Sequence, residues 1–274
     1  MPKGMQTYIK QSLIENIIDV SLEAGSSIMD IYENDLEIDI QTKSDASLVT
    51  KADMISHSII KKRLKEITPE IPIISEEDSK INFSERSAWN DYWLIDPMDG
   101  TKEFINRNGE FTVNIALINN NSPVFGVIHV PTEGNTYWGT EETGSYLLKS
   151  NYESTKLGVT QDIRSPVRIV CSRSHPSKEL NTVLKKIKDY ETIHIGSSLK
   201  FCLVASGKAD CYPRLGPTSE WDTAAGEIIA RSAGAIVVNL DNEALKYNSK
   251  EGYINPSFLV ANNHTIKERI LSIV

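Results

Sequence analysis

The chain is poor in cysteine, histidine and aromatic residues, and its apolar residues never form a long run. Cys171, Cys202 and Cys211 are an odd number without paired metal-type spacing, so neither a disulfide framework nor a zinc site is expected. A reducing compartment suits such a chain. The histidines, His57, His129, His175, His194 and His264, are scattered with no i,i+4 pair and no cysteine cluster, which argues against a histidine metal centre. No apolar stretch approaches the roughly 20 residues of a membrane span. Met1 to Gln6 also lack the apolar core of a signal peptide, so the expected location is the cytoplasm, with peripheral attachment to the inner membrane as the one alternative. Positive charge is in deficit: 29 Lys+Arg stand against 37 Asp+Glu, a net charge of -8. With no basic field to draw in phosphate chains, nucleic acid is not an expected partner.

What is present describes a globular protein. Hydrophobic residues make up 40% and charged residues 24% of 274 residues, enough for one large domain or two modest ones. Apolar residues at near-helical spacing predict a helix over Thr7 to Asn34 and another over Thr50 to Ile67, the latter with Ile55, Ile59, Ile60 and Leu64 on one face. Glu37 to Gln41 alternates like a strand. From Ile71 to Leu148, short apolar runs divided by turn residues predict a sheet with hairpins. Ser150 to Pro166 is polar and strand-poor and marks an expected boundary between halves 1–150 and 151–274. Beyond it strands are expected at Val167 to Cys171, Thr192 to Ile195, Ala235 to Asn239 and Phe258 to Ala261. Helices are expected at Ser177 to Tyr190, Ser198 to Ser206, Asp222 to Ala233 and the C-terminus. The first half reads as α+β and the second as α/β.

The acids carry the chemistry. Trp93-Leu94-Ile95-Asp96-Pro97-Met98-Asp99-Gly100-Thr101 runs an apolar strand into two carboxylates three apart, with a proline that interrupts pairing and a glycine that permits a tight turn. Ile73-Ile74-Ser75-Glu76-Glu77-Asp78 also ends an apolar strand in acids, and Glu220-Trp221-Asp222 opens an Ala-rich helix. Each segment alone has an ordinary structural explanation: a turn, a solvated loop, a favourable first-turn charge. If they converge, their mutual repulsion calls for a cation. Hard oxygen donors select Mg²⁺, with Mn²⁺ as a close substitute. Thr50-Lys51-Ala52-Asp53 reads as a capping box, and Gly100-Thr101 as a turn whose backbone N–H groups could grip phosphate.

Asp96-Pro97-Met98-Asp99-Gly100-Thr101 followed by Trp221-Asp222-Thr223-Ala224-Ala225-Gly226, with Glu76-Glu77 upstream, resembles the paired signature of the lithium-sensitive, magnesium-dependent phosphatases of the inositol monophosphatase superfamily. The resemblance spans nearly the whole chain. The stretches Asp99 to Asn114, Ser172 to His175, Gly196 to Val204 and Tyr212-Pro213-Arg214 point within it to the 3'(2'),5'-bisphosphate nucleotidase branch. It implies a layered αβαβα sandwich with the site between its halves. It also implies that Glu76, Asp96 and the Met98 carbonyl hold one Mg²⁺, that Asp96, Asp99 and Asp222 hold a second, and that a third, weaker ion binds near Glu76. Glu77 would organise bound water, and Asp53 and Thr101 would position and deprotonate the attacking water. Glu76, Met98, Asp99, Gly100, Thr101 and Asp222 would then also face the substrate phosphate.

The expected substrate is a small phosphorylated nucleotide. Inositol monophosphatases carry a glutamate seven residues before the Asp of the Trp-Asp motif, where it reads sugar hydroxyls; here Leu215 stands there, preceded by Arg214. An arginine suits a second phosphate, which it can grip with two parallel hydrogen bonds. Ser197 and Lys200, three apart at a helix start, share a face and would flank that phosphate or the ribose, with His175 against the adenosine. The reaction so implied is hydrolysis of adenosine 3',5'-bisphosphate to AMP and phosphate, with its sulfo derivative as a further substrate, in the recycling of a by-product of sulfate activation. An inositol phosphatase, a non-catalytic nucleotide sensor and a two-carboxylate glycosidase are the alternatives. Monomer and homodimer both fit the resemblance.

Overall fold

A computed structural model describes residues 9–34, 41–42, 48–162, 164–174 and 177–274. In chain order its elements are α1 (Gln11–Glu33), β1 (Gln41–Thr42), β2 (Leu48–Val49), α2 (Lys51–Ile67), β3 (Ile73–Ser75), α3 (Phe83–Arg86), β4 (Asp91–Asp99), α4 (Thr101–Ile105), β5 (Thr112–Asn119), β6 (Ser122–Val130), β7 (Asn135–Thr140), β8 (Gly144–Leu148) and β9 (Ser154–Lys156). There follow β10 (Val167–Ser172), α5 (Lys178–Leu184), β11 (Tyr190–Ile195), α6 (Leu199–Ala205), β12 (Cys211–Arg214), α7 (Glu220–Ser232), β13 (Ile236–Asn239), β14 (Phe258–Ala261) and α8 (His264–Leu271). β3 to β9 form a seven-stranded sheet in sequence order, and β11-β10-β12-β14-β13 form a five-stranded one.

Strand alternation explains how these sheets become layers. In β4, Trp93 and Ile95 face one core while Tyr92 and Leu94 face another, and β5 and β6 divide in the same way. A sheet buried on both faces needs a cover on each, which period-2 side chains provide from a continuous apolar run. The Trp93 side joins α1 and α2. The Leu94 side joins α6 and α7, together with Tyr212, Phe258 and Val260 of the second sheet. The far face of that second sheet, with Ile169, Cys211 and Leu259, packs on α5 and α8. The order helix, sheet, helix, sheet, helix is the expected αβαβα sandwich.

One close approach seats the central layer. A Cβ on Gly126 of β6 would lie 2.6 Å from Ile228 Cγ2 and 2.8 Å from the Ala225 Cα of α7. Only glycine lets the α7 backbone rest directly on the seven-stranded sheet.

The structure departs from the sequence reading in a few places. α5 ends at Leu184, and Tyr190 already belongs to β11. β9 falls inside the polar stretch 150–166; all three of its residues are exposed, so it shows no apolar alternation, and only pairing with β8 defines it. β12 contains Pro213 and is too short for a periodic signal. In α2 the buried stripe is partly polar: Ala52, Asp53, Ser56 and His57 are buried with Ile60 and Leu64, whereas Ile55 and Ile59 are half-buried. Of the strand expected at 37–41, residues 37–40 lie outside the described residues.

Candidate active site

A cavity of about 1230 Å³ opens where the start of α2, the ends of β3 and β4, and the starts of α4, α6 and α7 meet. Glu76, Asp96 and Asp222, from three separate segments, each present one carboxylate oxygen there, all within 4.8 Å of one another. Asp96 is 1% exposed. Burial, and then the charges of Glu76, Asp99 and Asp222, hold its carboxyl well above the usual carboxylate range. Burial followed by Asp99 and Glu76 pushes Asp222 up to about 7. Carboxylates forced together out of water are electrostatically costly unless a cation lies among them. An all-oxygen donor set of this kind fits Mg²⁺.

Local sequence explains the placement. β4 does not stop at Asp96 but continues to Asp99 across an irregularity in its pairing with β5, between Asp96 and Asp99. Pro97 falls in that break, where the missing N–H costs no ladder bond. The Met98 amide donates to Asp96 Oδ1 at 3.1 Å, and Ser56 of α2 donates to the Pro97 carbonyl at 2.7 Å. Gly100 follows at φ 102°, and a Cβ there would meet the Glu110 carbonyl at 3.0 Å. The chain can turn into α4 only through glycine. Alongside, β3 runs parallel to β4, and the Glu76 amide donates to the Ile95 carbonyl at 3.1 Å. His57 Nδ1 sits 2.8 Å from Ser75 Oγ, just before the acidic turn.

Two of the acids also begin helices. Asp53 Oδ2 accepts from the Thr50 amide at 2.7 Å and the Thr50 hydroxyl at 2.6 Å, closing the expected cap of α2. Its other oxygen, Oδ1, accepts from Thr101 Oγ1 at 3.3 Å. Burial raises the Asp53 pKa despite the bonds from Thr50. In α7, Asp222 Oδ2 accepts from the Ser219 amide at 2.9 Å and from Thr218 Oγ1 at 2.8 Å. The Glu220 and Asn255 amides, bonded to the Tyr253 and Thr218 carbonyls at 2.8 and 2.9 Å, tie this helix start to the 248–255 loop.

The same cavity also holds cations. Lys200, 7% exposed, and Arg214 line the cavity beside Ser197 and Tyr212. Burial lowers the Lys200 pKa, and Asp99 nearby opposes that shift. Ser197, at φ 47°, stands one residue before Ser198, the N-cap of α6. Lys200 Nζ bonds the Ser197 carbonyl, and Arg214 bonds the Pro217 carbonyl. Ser197 Oγ and Arg214 Nε are buried and have no hydrogen-bond partner among the described residues. His175 lies outside the described residues. Leu215 lines a neighbouring cavity and packs into the core beneath α5 instead of facing the carboxylates.

Every described residue expected to act in catalysis, metal binding or substrate binding therefore borders the cavity except Asp53, whose Oδ1 accepts from Thr101. Sequence reasoning missed Glu103, Ser198 and Asn114. Ser198 Oγ lies 2.7 Å from Asp99 Oδ2 and accepts from Asn114 Nδ2 at 2.9 Å. Glu103 accepts from Ser174, and Glu110 takes a forked bond from Arg173 at 2.6 and 2.7 Å and one from the Gly196 amide at 2.7 Å. Nothing in the local pattern distinguishes these polar residues from surface ones, because each finds its partner far along the chain.

Comparison with known proteins gives a consistent picture. The profile of the Inositol monophosphatase family matches residues 10–274. The chain is 43% identical over 249 residues to the 3'(2'),5'-bisphosphate nucleotidase CysQ of Escherichia coli K12, covering 91% of this chain and 99% of that one. It is 33% identical over 262 residues to the protein of the same name from Haemophilus influenzae, covering 95% and 97%. Among solved structures, CysQ from Bacteroides thetaiotaomicron superposes with a TM-score of 0.80 at 42% identity, over 93% of this chain and 98% of that one. An IMPase from Thermotoga maritima superposes at 0.79 with 20% identity, over 96% of each chain, a likeness of fold. With the layered sandwich, the converging acids and a profile match over almost its full length, this chain belongs to the inositol monophosphatase family.

Proposed function

We propose that the chain is a Mg²⁺-dependent phosphatase that hydrolyses the 3'-phosphate of adenosine 3',5'-bisphosphate to AMP and phosphate. One observation carries the reading: a single cavity holds three carboxylates within 4.8 Å of one another together with buried Lys200 and half-buried Arg214. An ester with one phosphate engages only the acids. A bisphosphate engages acids and cations both, and Ser197 Oγ and Arg214 Nε, without a hydrogen-bond partner among the described residues, favour that second anion. The relatives named as bisphosphate nucleotidases support the same substrate. The sulfo derivative, altered only at its 5' end, is proposed as a second substrate.

In this reading Glu76, Asp96, the Met98 carbonyl, Asp99 and Asp222 hold the metal, as two ions with a third, weaker one near Glu76. Bound Mg²⁺ supplies positive charge that offsets the phosphate oxygens and acidifies water. Thr101 Oγ1, donating its proton to Asp53 Oδ1, keeps lone pairs free to accept from a water. Asp53, raised in basicity by burial, takes up the proton. Gly100 and Thr101, at the turn into α4, would present backbone N–H groups to a phosphate oxygen. Lys200, Arg214 and Ser197 hold the 5'-phosphate side, orienting the 3'-ester toward the acids.

The test is an assay of the purified protein with Mg²⁺ against adenosine 3',5'-bisphosphate and inositol 1-phosphate. A kcat/KM about 10- to 100-fold higher for the bisphosphate is expected, the worth of one desolvated charge-assisted pair at roughly 1.5–3 kcal/mol. Equal or inverted preference overturns the substrate, and turnover undiminished by EDTA overturns the metal.

A further inference from the structure

Ser198 stands where the two halves of the site touch. It is 2% exposed and opens α6, yet its hydroxyl contacts neither α6 nor solvent. Ser198 Oγ lies 2.7 Å from Asp99 Oδ2 at the end of β4 and 2.7 Å from the Asp222 carbonyl in α7. It also accepts from Asn114 Nδ2, on β5, at 2.9 Å. Asn114 is held in turn: Thr112 Oγ1 donates to its Oδ1 at 3.0 Å, which points the amide nitrogen toward Ser198 and, at 3.5 Å, toward Asp99. Three elements, the neighbouring strands β4 and β5 and the distant helix α7, thus meet on one oxygen.

We infer that Ser198 is a positioning residue that fixes Asp99 and Asp222 relative to one another and so sets the affinity of the carboxylate cluster for a divalent cation. The inference rests on the metal-dependent reading above. A hydroxyl has one proton and two lone pairs. With Asn114 filling an acceptor site, the proton is left to serve Asp99 or the Asp222 backbone. Either way Ser198 spans the gap between β4 and α7, which the sequence separates by 123 positions. Asp99 Oδ2 is thereby pinned, and among the described residues no hydrogen bond engages its Oδ1. Without the serine, Asp99 keeps only the 3.5 Å contact from Asn114 and turns freely. The cluster then pays ordering entropy on each binding event.

The experiment compares wild type, Ser198→Ala and Asn114→Ala by calorimetric titration of Mg²⁺ into the metal-stripped protein, and by Mg²⁺ activation of hydrolysis. The expected result for Ser198→Ala is Mg²⁺ binding weaker by about tenfold and a matching rise in the Mg²⁺ needed for half-maximal rate, with kcat restored at saturating Mg²⁺. The substrate KM at saturating Mg²⁺ should stay within about twofold, and circular dichroism should be unchanged. Asn114→Ala, which leaves the serine in place but unsteadied, should shift Mg²⁺ binding in the same direction by a smaller factor. Wild-type Mg²⁺ affinity in a folded Ser198→Ala protein overturns the inference. If Ser198→Ala fails to fold, an unshifted Asn114→Ala overturns it. Calorimetry reads the inference without turnover, so a wild type that binds Mg²⁺ but does not hydrolyse the bisphosphate refutes the proposed function alone.

Discussion

Thr101 Oγ1 and Asp53 Oδ1 face each other at 3.3 Å across 48 positions of sequence, the threonine opening α4 and the aspartate lying in the first turn of α2. The pair has the geometry of a proton relay: a hydroxyl at the cavity wall backed by a buried base. Thr101→Val keeps the shape and removes the hydroxyl. It should lower kcat by about 10² to 10⁴-fold with little change in KM, the range for lost general-base assistance. Steady-state kinetics decide it, and a kcat within threefold of wild type removes Thr101 from the mechanism.

Lys200 and Arg214 should govern which phosphate esters are accepted. Lys200→Met retains the buried stem and deletes the charge. The KM for adenosine 3',5'-bisphosphate should rise about 10- to 100-fold, since hydrogen bonds to charged groups contribute roughly 1.5–3 kcal/mol. For adenosine 3'-monophosphate, which has no 5'-phosphate, the change should be under about threefold. A parallel loss on both esters would place Lys200 elsewhere in the reaction.

Removing the charge of Asp96 should have opposite effects on function and stability. Asp96→Asn deletes a ligand, and because even residues behind the ligands cost 10- to 100-fold, turnover should fall by more than about 100-fold. The same change relieves repulsion from Glu76, Asp99 and Asp222. In EDTA at pH 8 the melting temperature should rise by about 2–4 °C, the equivalent of roughly 1 kcal/mol. A metal-free variant less stable than wild type would contradict this account of the cluster.

Away from the site, His129 should contribute to acid sensitivity. It is buried on β6 with Nδ1 2.9 Å from Thr136 Oγ1, and burial lowers its pKa from 6.5 to about 4. Between those values the unfolded chain binds a proton that the folded chain excludes. Its contribution is therefore complete above pH 6.5 and is lost as pH falls toward 4, by about 3 kcal/mol in all. Urea unfolding of wild type and His129→Gln at pH 7 and pH 4.5 measures the difference. Equal pH slopes in the two proteins would refute the assignment.

Much of this was legible in the sequence because it is local. The runs in β4, β5 and β6 announce a sheet buried on both faces, and the acids at 76, 96, 99 and 222 stand beside apolar strands or an Ala-rich helix. Capping at Thr50 follows from spacing alone. What was illegible depends on partners far along the chain. β9 has no buried face, and β12 is four residues interrupted by Pro213. Ser198 looks like any serine at a helix start until β4 and α7 arrive beside it. Leu215 occupies the position of a sugar-reading glutamate in sequence, but its side chain turns into the core beneath α5. Lys200 and Arg214, by contrast, line the cavity itself.

The acids that begin α2 and α7 each serve two structures with one side chain. Asp53 Oδ2 and Asp222 Oδ2 close their helix starts, and both carboxylates belong to the cavity region. Crowding among the acids is therefore also a load on two helix ends, and any cation that relieves the crowding tightens those ends. Amide hydrogens at positions 50–54 and 219–223 would then report occupancy of the cavity: exchange there should slow on adding Mg²⁺, while the strands beneath exchange as before.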